Sequence, residues 1–285
     1  MMKFVGLIIL FLMVACQLTP TKVYETQPVT EKSGQEIPAG TIIIDARPAF
    51  EYSLAHLNGA LPMRWEDFTQ REEPFLGVLD IDQFFHARRL ARLGIKQDSP
   101  VLVVGRGLQG EGEEGRLAWT LRVLGMKNVS FAHIDSFSLP LTKSEAPPRE
   151  NVSIWRPTFD ESLIITREEF LTSIMKAKGT FEAPVVIDVR TEAQYLGKDS
   201  NYYSLHAPDL GAVNIPWTEF LTREGRANTQ IKDRLQSVGI DPNKKIICLD
   251  EKGVRSATVT LILRELGYPK ATNFAGGYML LMGKR

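Results

Sequence analysis

Lys245-Ile-Ile-Cys-Leu-Asp-Glu-Lys-Gly-Val-Arg-Ser-Ala257 is the stretch that decides how this chain reads. Ile246 to Leu249 is a strand-length apolar run. A short polar loop follows, and then a helical pattern that runs to Gly267. Gly253 relaxes the loop, because glycine takes backbone conformations that other residues avoid. At such a junction the backbone N–H groups converge and the helix dipole adds positive potential. The loop is therefore a cradle for an anion. Its candidate residues are Asp250, Glu251, Lys252, Gly253, Val254 and Arg255.

Working outward, the stretch turns out to be half of a repeat. Val238-Gly239-Ile240 precedes its strand, as Leu93-Gly94-Ile95 precedes Val101-Leu-Val-Val104. Counting without gaps from the two glycines, Gly105 matches Asp250. Amphipathic helices are expected around 117–124 and 257–266, each closed by a glycine, Gly125 or Gly267. A short apolar strand follows each. Further upstream, Asp45-Ala-Arg47 matches Asp188-Val-Arg190, and Trp65 matches Trp217. Short apolar runs alternating with helical patterns give an α/β fold, a parallel sheet covered by helices. Thr166-Arg-Glu-Glu169 reads as a capping box opening a helix.

Asp188-Val-Arg190, Gly211-Ala-Val-Asn-Ile-Pro-Trp217, Gly253-Val-Arg-Ser256 and Gly276-Gly277 together resemble the rhodanese sulfurtransferases. The resemblance covers about residues 38 to 285. It implies two tandem rhodanese-like domains, 38–135 and 161–285, joined by a linker at 136–160. It implies an inactive first domain, with Gly105 at the site. In that family the loop reads Cys-x-x-Gly-x-Arg and the Cys thiolate carries a persulfide. Here Asp250 stands at the Cys position. The Asp45/Arg47 and Asp188/Arg190 pairs are expected to form structural ion pairs.

A carboxylate holds no stable persulfide and repels thiosulfate or a mercapto acid. Sulfur transfer is therefore expected to be lost, leaving a module that binds a small anion or an envelope protein. Two other readings stay open. Cys248, two residues upstream on the strand, is a fallback nucleophile for an active thiosulfate or 3-mercaptopyruvate sulfurtransferase; a buried core cysteine is the plainer alternative. Gly105-Arg-Gly-Leu-Gln-Gly110 has dinucleotide-binding spacing after a strand, although Glu111, Glu113 and Glu114 would crowd a pyrophosphate. No cofactor is expected, and no Cys/His spacing fits a metal.

The N-terminus sets the expected location. Met1-Met-Lys3 is basic, Phe4 to Val14 is apolar, and Leu12-Met-Val-Ala-Cys16 resembles the lipobox of bacterial lipoproteins. The expectation is a signal peptide over 1–15, a lipid on Cys16 and a polar tether to residue 37. That places the protein on a cell membrane facing the periplasm or cell surface. Gln17 favours the outer membrane in a diderm. The formal net charge of zero gives no basic surface for nucleic acid.

Overall fold

A computed structural model of the chain describes residues 36–80, 82–177 and 183–283. The expected signal peptide, the lipidated Cys16 and nearly all of the tether lie outside the described residues.

The first half contains β1 (Ile42–Asp45), α1 (Ala49–Leu54), β2 (His56–Leu57), β3 (Leu61–Pro62), α2 (Gln83–Arg92), β4 (Val101–Gly105), α3 (Glu113–Val123), β5 (Val129–His133) and β6 (Leu141–Thr142). The second contains α4 (Arg167–Ala177), β7 (Val185–Asp188), α5 (Glu192–Tyr195), α6 (Tyr202–Leu205), β8 (Val213–Asn214), α7 (Ile231–Ser237), β9 (Ile246–Leu249), α8 (Arg255–Glu265), β10 (Ala271–Asn273) and α9 (Gly277–Met282). Each half builds a four-stranded sheet, β3-β1-β4-β5 and β8-β7-β9-β10, with every neighbouring pair parallel. The two orders superimpose repeat on repeat. In both, the continuous apolar strand (β4, β9) lies inside the sheet, buried on both faces.

Two expectations change. The helices expected to be amphipathic, α3 and α8, are buried on nearly every face. Each packs on its own sheet and against the other helix, so neither has a solvent side to mark in polar residues. Gly112 and Gly115 give Thr258 room to approach, and a side chain at Gly115 would collide with it. The stretch 136–160 is not a free linker. Leu141–Thr142 pairs antiparallel with His56–Leu57. Beyond it, Val152 N donates to Ala91 O (3.0 Å), Trp155 Nε1 donates to Ile95 O (3.0 Å) and Asp160 N donates to Val123 O (2.9 Å). Trp155 and Phe159 bury apolar area against the first core, so the strap is held by packing despite its polar sequence.

The capping box at Thr166 is present: Glu169 N donates to Thr166 Oγ1 (3.2 Å) and Thr166 N to Glu169 Oε2 (2.9 Å). The bond Glu169 receives holds its carboxyl below the usual carboxylate range.

Candidate functional site

The site follows from how β9 ends. Its last residue, Leu249, is buried, and the chain must turn at once to enter α8. Gly253 makes the turn with φ +78°. A side chain there would strike the Ala275 carbonyl, so glycine is required twice over. The turn points Gly253 N and Arg255 N at one spot, and the Asp250 carboxylate fills it. Gly253 N donates to Asp250 Oδ1, and Arg255 N donates to Oδ2 at 2.9 Å. The Ser256 hydroxyl lies 3.1 Å from Oδ1 and 2.6 Å from Asn273 Oδ1. Arg255 Nε stands 3.6 Å from Oδ2. Asp250 is 1% exposed. The donors that would hold a bound anion are already engaged by the chain's own carboxylate.

Outside this cradle is a cleft of about 250 Å³ between the halves. Trp65, Glu66, Glu111 and Glu113 come from the first half. Gln194, Glu251, Lys252, Val254 and Arg255 come from the second, with Asp250 at the base. Five carboxylates face two cations. Arg255 is fixed by Gln194 Oε1 (3.0 Å) and Glu111 (3.7 Å), and Lys252 Nζ lies 5.7 Å from the centre of the Trp65 ring. Glu251 accepts from Asn201 Nδ2 (2.9 Å), which ties the 197–209 insertion to the loop.

Cys248 is not at this site. It points into the second core, fully buried, packed with Val259 and Ile262. Burial pushes its thiol up to about 12. Such a group supplies no accessible thiolate near neutral pH.

The first half answers the same turn differently. Gly105 has no side chain, and the space beside it is taken by the Glu114 carboxylate. Glu114 Oε1 accepts from Gly107 N at 3.1 Å, while Oε2 is buried without a partner. Burial raises the Glu114 carboxyl to about 8. Counted from Gly125 and Gly267, Glu114 matches Ser256. Each half thus fills its turn with one carboxylate, from the strand end in one and from the helix in the other. Sequence reasoning treated Glu114 only as surplus charge, and nothing local marks it as buried. The same geometry corrects the dinucleotide reading of Gly105–Gly110. Carboxylates of Glu114 and Glu113 occupy the space that Cβ atoms at Gly105 and Gly110 would take, and Glu113 is paired with Arg106. A pyrophosphate would meet negative charge where it needs N–H donors.

The Asp-x-Arg pairs are buried and two-pronged. Arg190 Nη2 lies 2.7 Å and Nε 3.1 Å from Asp188 Oδ2, and Tyr278 OH donates to the same oxygen at 3.1 Å. Arg47 holds Asp45 likewise at 2.7 Å and also donates to Ala55 O (2.6 Å). Both pairs fix the chain leaving the first strand of their half and stand apart from the cleft lining. His56 also serves packing, with ring nitrogens 2.8 and 3.0 Å from the carbonyls of Tyr52 and Ser144. Among the described residues no group of three His, Cys, Asp or Glu side chains is placed to hold a metal.

Comparison with known proteins agrees with this architecture. Residues 168–282 match the Rhodanese-like domain family. The chain is 26% identical over 238 residues to thiosulfate sulfurtransferase of Bos taurus, covering 80% of this chain and 77% of that protein. It is 27% identical over 250 residues to the Pseudomonas aeruginosa thiosulfate sulfurtransferase (83% and 86%). It is 27% identical over 248 residues to human 3-mercaptopyruvate sulfurtransferase (82% and 79%). Among solved structures, a 3-mercaptopyruvate sulfotransferase of Escherichia coli superimposes with a TM-score of 0.69 at 24% identity, covering 84% of this chain and 93% of that one.

Proposed function

Since the chain belongs to the rhodanese sulfurtransferase family, we propose that it is a member that has given up sulfur transfer and keeps the cleft as a binding site. One observation carries this reading: the Asp250 carboxylate sits where the loop N–H groups converge and takes their hydrogen bonds. Sulfur transfer needs a polarisable nucleophile at that point, and a carboxylate does not hold a sulfane sulfur. Cys248 offers no replacement, being sealed in the core.

The lining also narrows the ligand. A free small anion would find the cradle filled by Asp250 and four more carboxylates around it. The reading therefore moves towards a protein partner presenting its own basic or amide groups to the cleft. Membrane attachment through Cys16, on the periplasmic or cell-surface side, belongs to the same proposal and is supported by the lipobox-like Leu12–Cys16.

The test is Asp250→Cys beside the unaltered protein. The loop donors are in place, so a thiolate at 250 is expected to be stabilised and to give thiosulfate:cyanide activity where the unaltered chain gives none. Equal activity in the two proteins would overturn the reading.

A further inference from the structure

Arg116 is the largest buried charge that the account above leaves unused. It is 0% exposed, in α3 of the first half. Its Nη1 donates to Gly253 O at 2.7 Å and its Nη2 to Gly77 O at 2.6 Å, while Nε has no partner. The guanidinium centre lies 4.7 Å from the Trp119 ring centre and 5.4 Å from that of Trp65. Both hydrogen-bond partners are backbone carbonyls, so its charge is balanced by no carboxylate in direct contact. The carboxylate that does favour its charged form most is Asp250, on the far side of the Gly253 peptide.

The Gly253 peptide is the hinge of the cradle. Its carbonyl accepts from Arg116 Nη1 and from Asn273 Nδ2 (3.2 Å). Two donors behind the loop hold that carbonyl outward, which fixes the Gly253–Val254 peptide that lies between the two N–H groups, of Gly253 and Arg255, that meet Asp250. The arrangement is reciprocal in an informative way. Counted from the closing glycines, Arg116 and Thr258 are repeat equivalents. Thr258 Oγ1 reaches back from α8 and donates to Gly112 O, in the loop of the first half, at 3.0 Å. Each central helix thus clasps the other half's loop, but only the clasp on the Asp250 loop is charged. A charged donor buried between aromatic rings acts at low effective dielectric, where its field at a neighbouring anion is strong.

We propose that Arg116 is the positioning residue of the Asp250 cradle: from the other half it orients the Gly253 peptide and supplies the buried positive charge that makes the cradle favour an anion. This concerns how the cradle is built and holds whether or not the protein transfers sulfur. Burial pulls the Arg116 guanidinium down to about 9, so it remains charged at neutral pH. Gly77 belongs to the same clamp. A side chain there would collide with the carbonyls of Lys252 and Ala275, so the segment carrying Gly77 lies directly on the cradle loop.

The experiment uses a thiol at position 250 as a probe of the cradle. The full chain carrying Cys16→Ser and Asp250→Cys, kept in detergent, has one other cysteine, the buried Cys248. The pH dependence of iodoacetamide alkylation then reports the pKa of the introduced thiol. Adding Arg116→Gln is expected to raise that pKa by about one unit or more. Arg116→Lys keeps the charge but one fewer directed donor, and is expected to give a smaller, measurable rise. Thr258→Ala loosens the uncharged clasp and is expected to leave the titration in place. An unshifted titration with Arg116→Gln in folded protein would overturn the proposal, as would an equal rise with Thr258→Ala. If Arg116→Gln yields no folded protein, Arg116→Lys decides, and no rise there contradicts the proposal. None of these readings requires sulfur transfer, so an inactive Asp250→Cys protein would count against the functional reading alone.

Discussion

Asp250 and Glu114 show how one fold solves the same local problem twice. A tight strand-to-helix turn buries N–H groups, and buried donors need acceptors. The second half uses Asp250 from the strand end. The first half uses Glu114 from the helix, because Gly105 leaves the space open. The two carboxylates differ in how well they are served. Asp250 is met by two backbone donors and Arg255. Glu114 accepts from Gly107 N but has no cation within hydrogen-bond reach among the described residues, and burial dominates it. Its carboxyl is raised to about 8, above its unfolded value. The protonated form is thus favoured in the fold. That contribution is fully present below about pH 4.5, and it is lost as pH rises towards 8. Stability is expected to decline over that interval, and Glu114→Gln is expected to flatten the decline. Urea midpoints across pH check this; identical slopes in the two proteins would contradict it. Glu114 was not legible in sequence, since it follows Glu111 and Glu113 in an acidic run and nothing local sets it apart as the buried member. Asp250 was legible, because its strand, loop and helix are contiguous and their pattern is local.

At the scale of elements, α3 and α8 carry the join between the halves. Both are buried on nearly every face, because each has two packing partners to satisfy. The positions of the strands and central helices could be read from apolar runs and closing glycines. The contact between α3 and α8 could not, because it depends on Gly115 facing Thr258 across the repeat. Small residues at a close crossing are a packing requirement without a periodic signal. Gly115→Val is expected to push against Thr258 and destabilise the protein by about 1–3 kcal/mol, the usual range for overpacking. Chemical denaturation measures it, and a loss below about 0.5 kcal/mol would show that the helices separate at little cost. The strand at 141–142 was missed for a related reason. It is two residues long and sits in polar sequence, so its pairing with β2 decides it rather than its composition.

For the whole molecule, both sheets and the strap between them fall within one compact unit, Ser33–Arg285. The cleft is made by both halves, and the Arg116 clasp crosses between them. Half of the residues lining the cleft lie outside the Asp250 loop, so the proposed binding role does not depend on that loop alone. Placement in the cell is a separate proposal, supported by the lipobox-like Leu12–Cys16. If Cys16 carries lipid, Cys16→Ser is expected to abolish incorporation of labelled palmitate in a bacterial host. An unaltered label would contradict lipidation at that residue. Among the described residues no helix is long and apolar enough to cross a membrane.

The most direct test of the central claim is a sulfur-transfer assay. Protein lacking residues 1–16 would be assayed with thiosulfate and with 3-mercaptopyruvate, cyanide as acceptor, beside the same protein carrying Cys248→Ser. The account predicts no turnover above background in either. Turnover that disappears with Cys248→Ser would contradict it and make the buried cysteine the nucleophile.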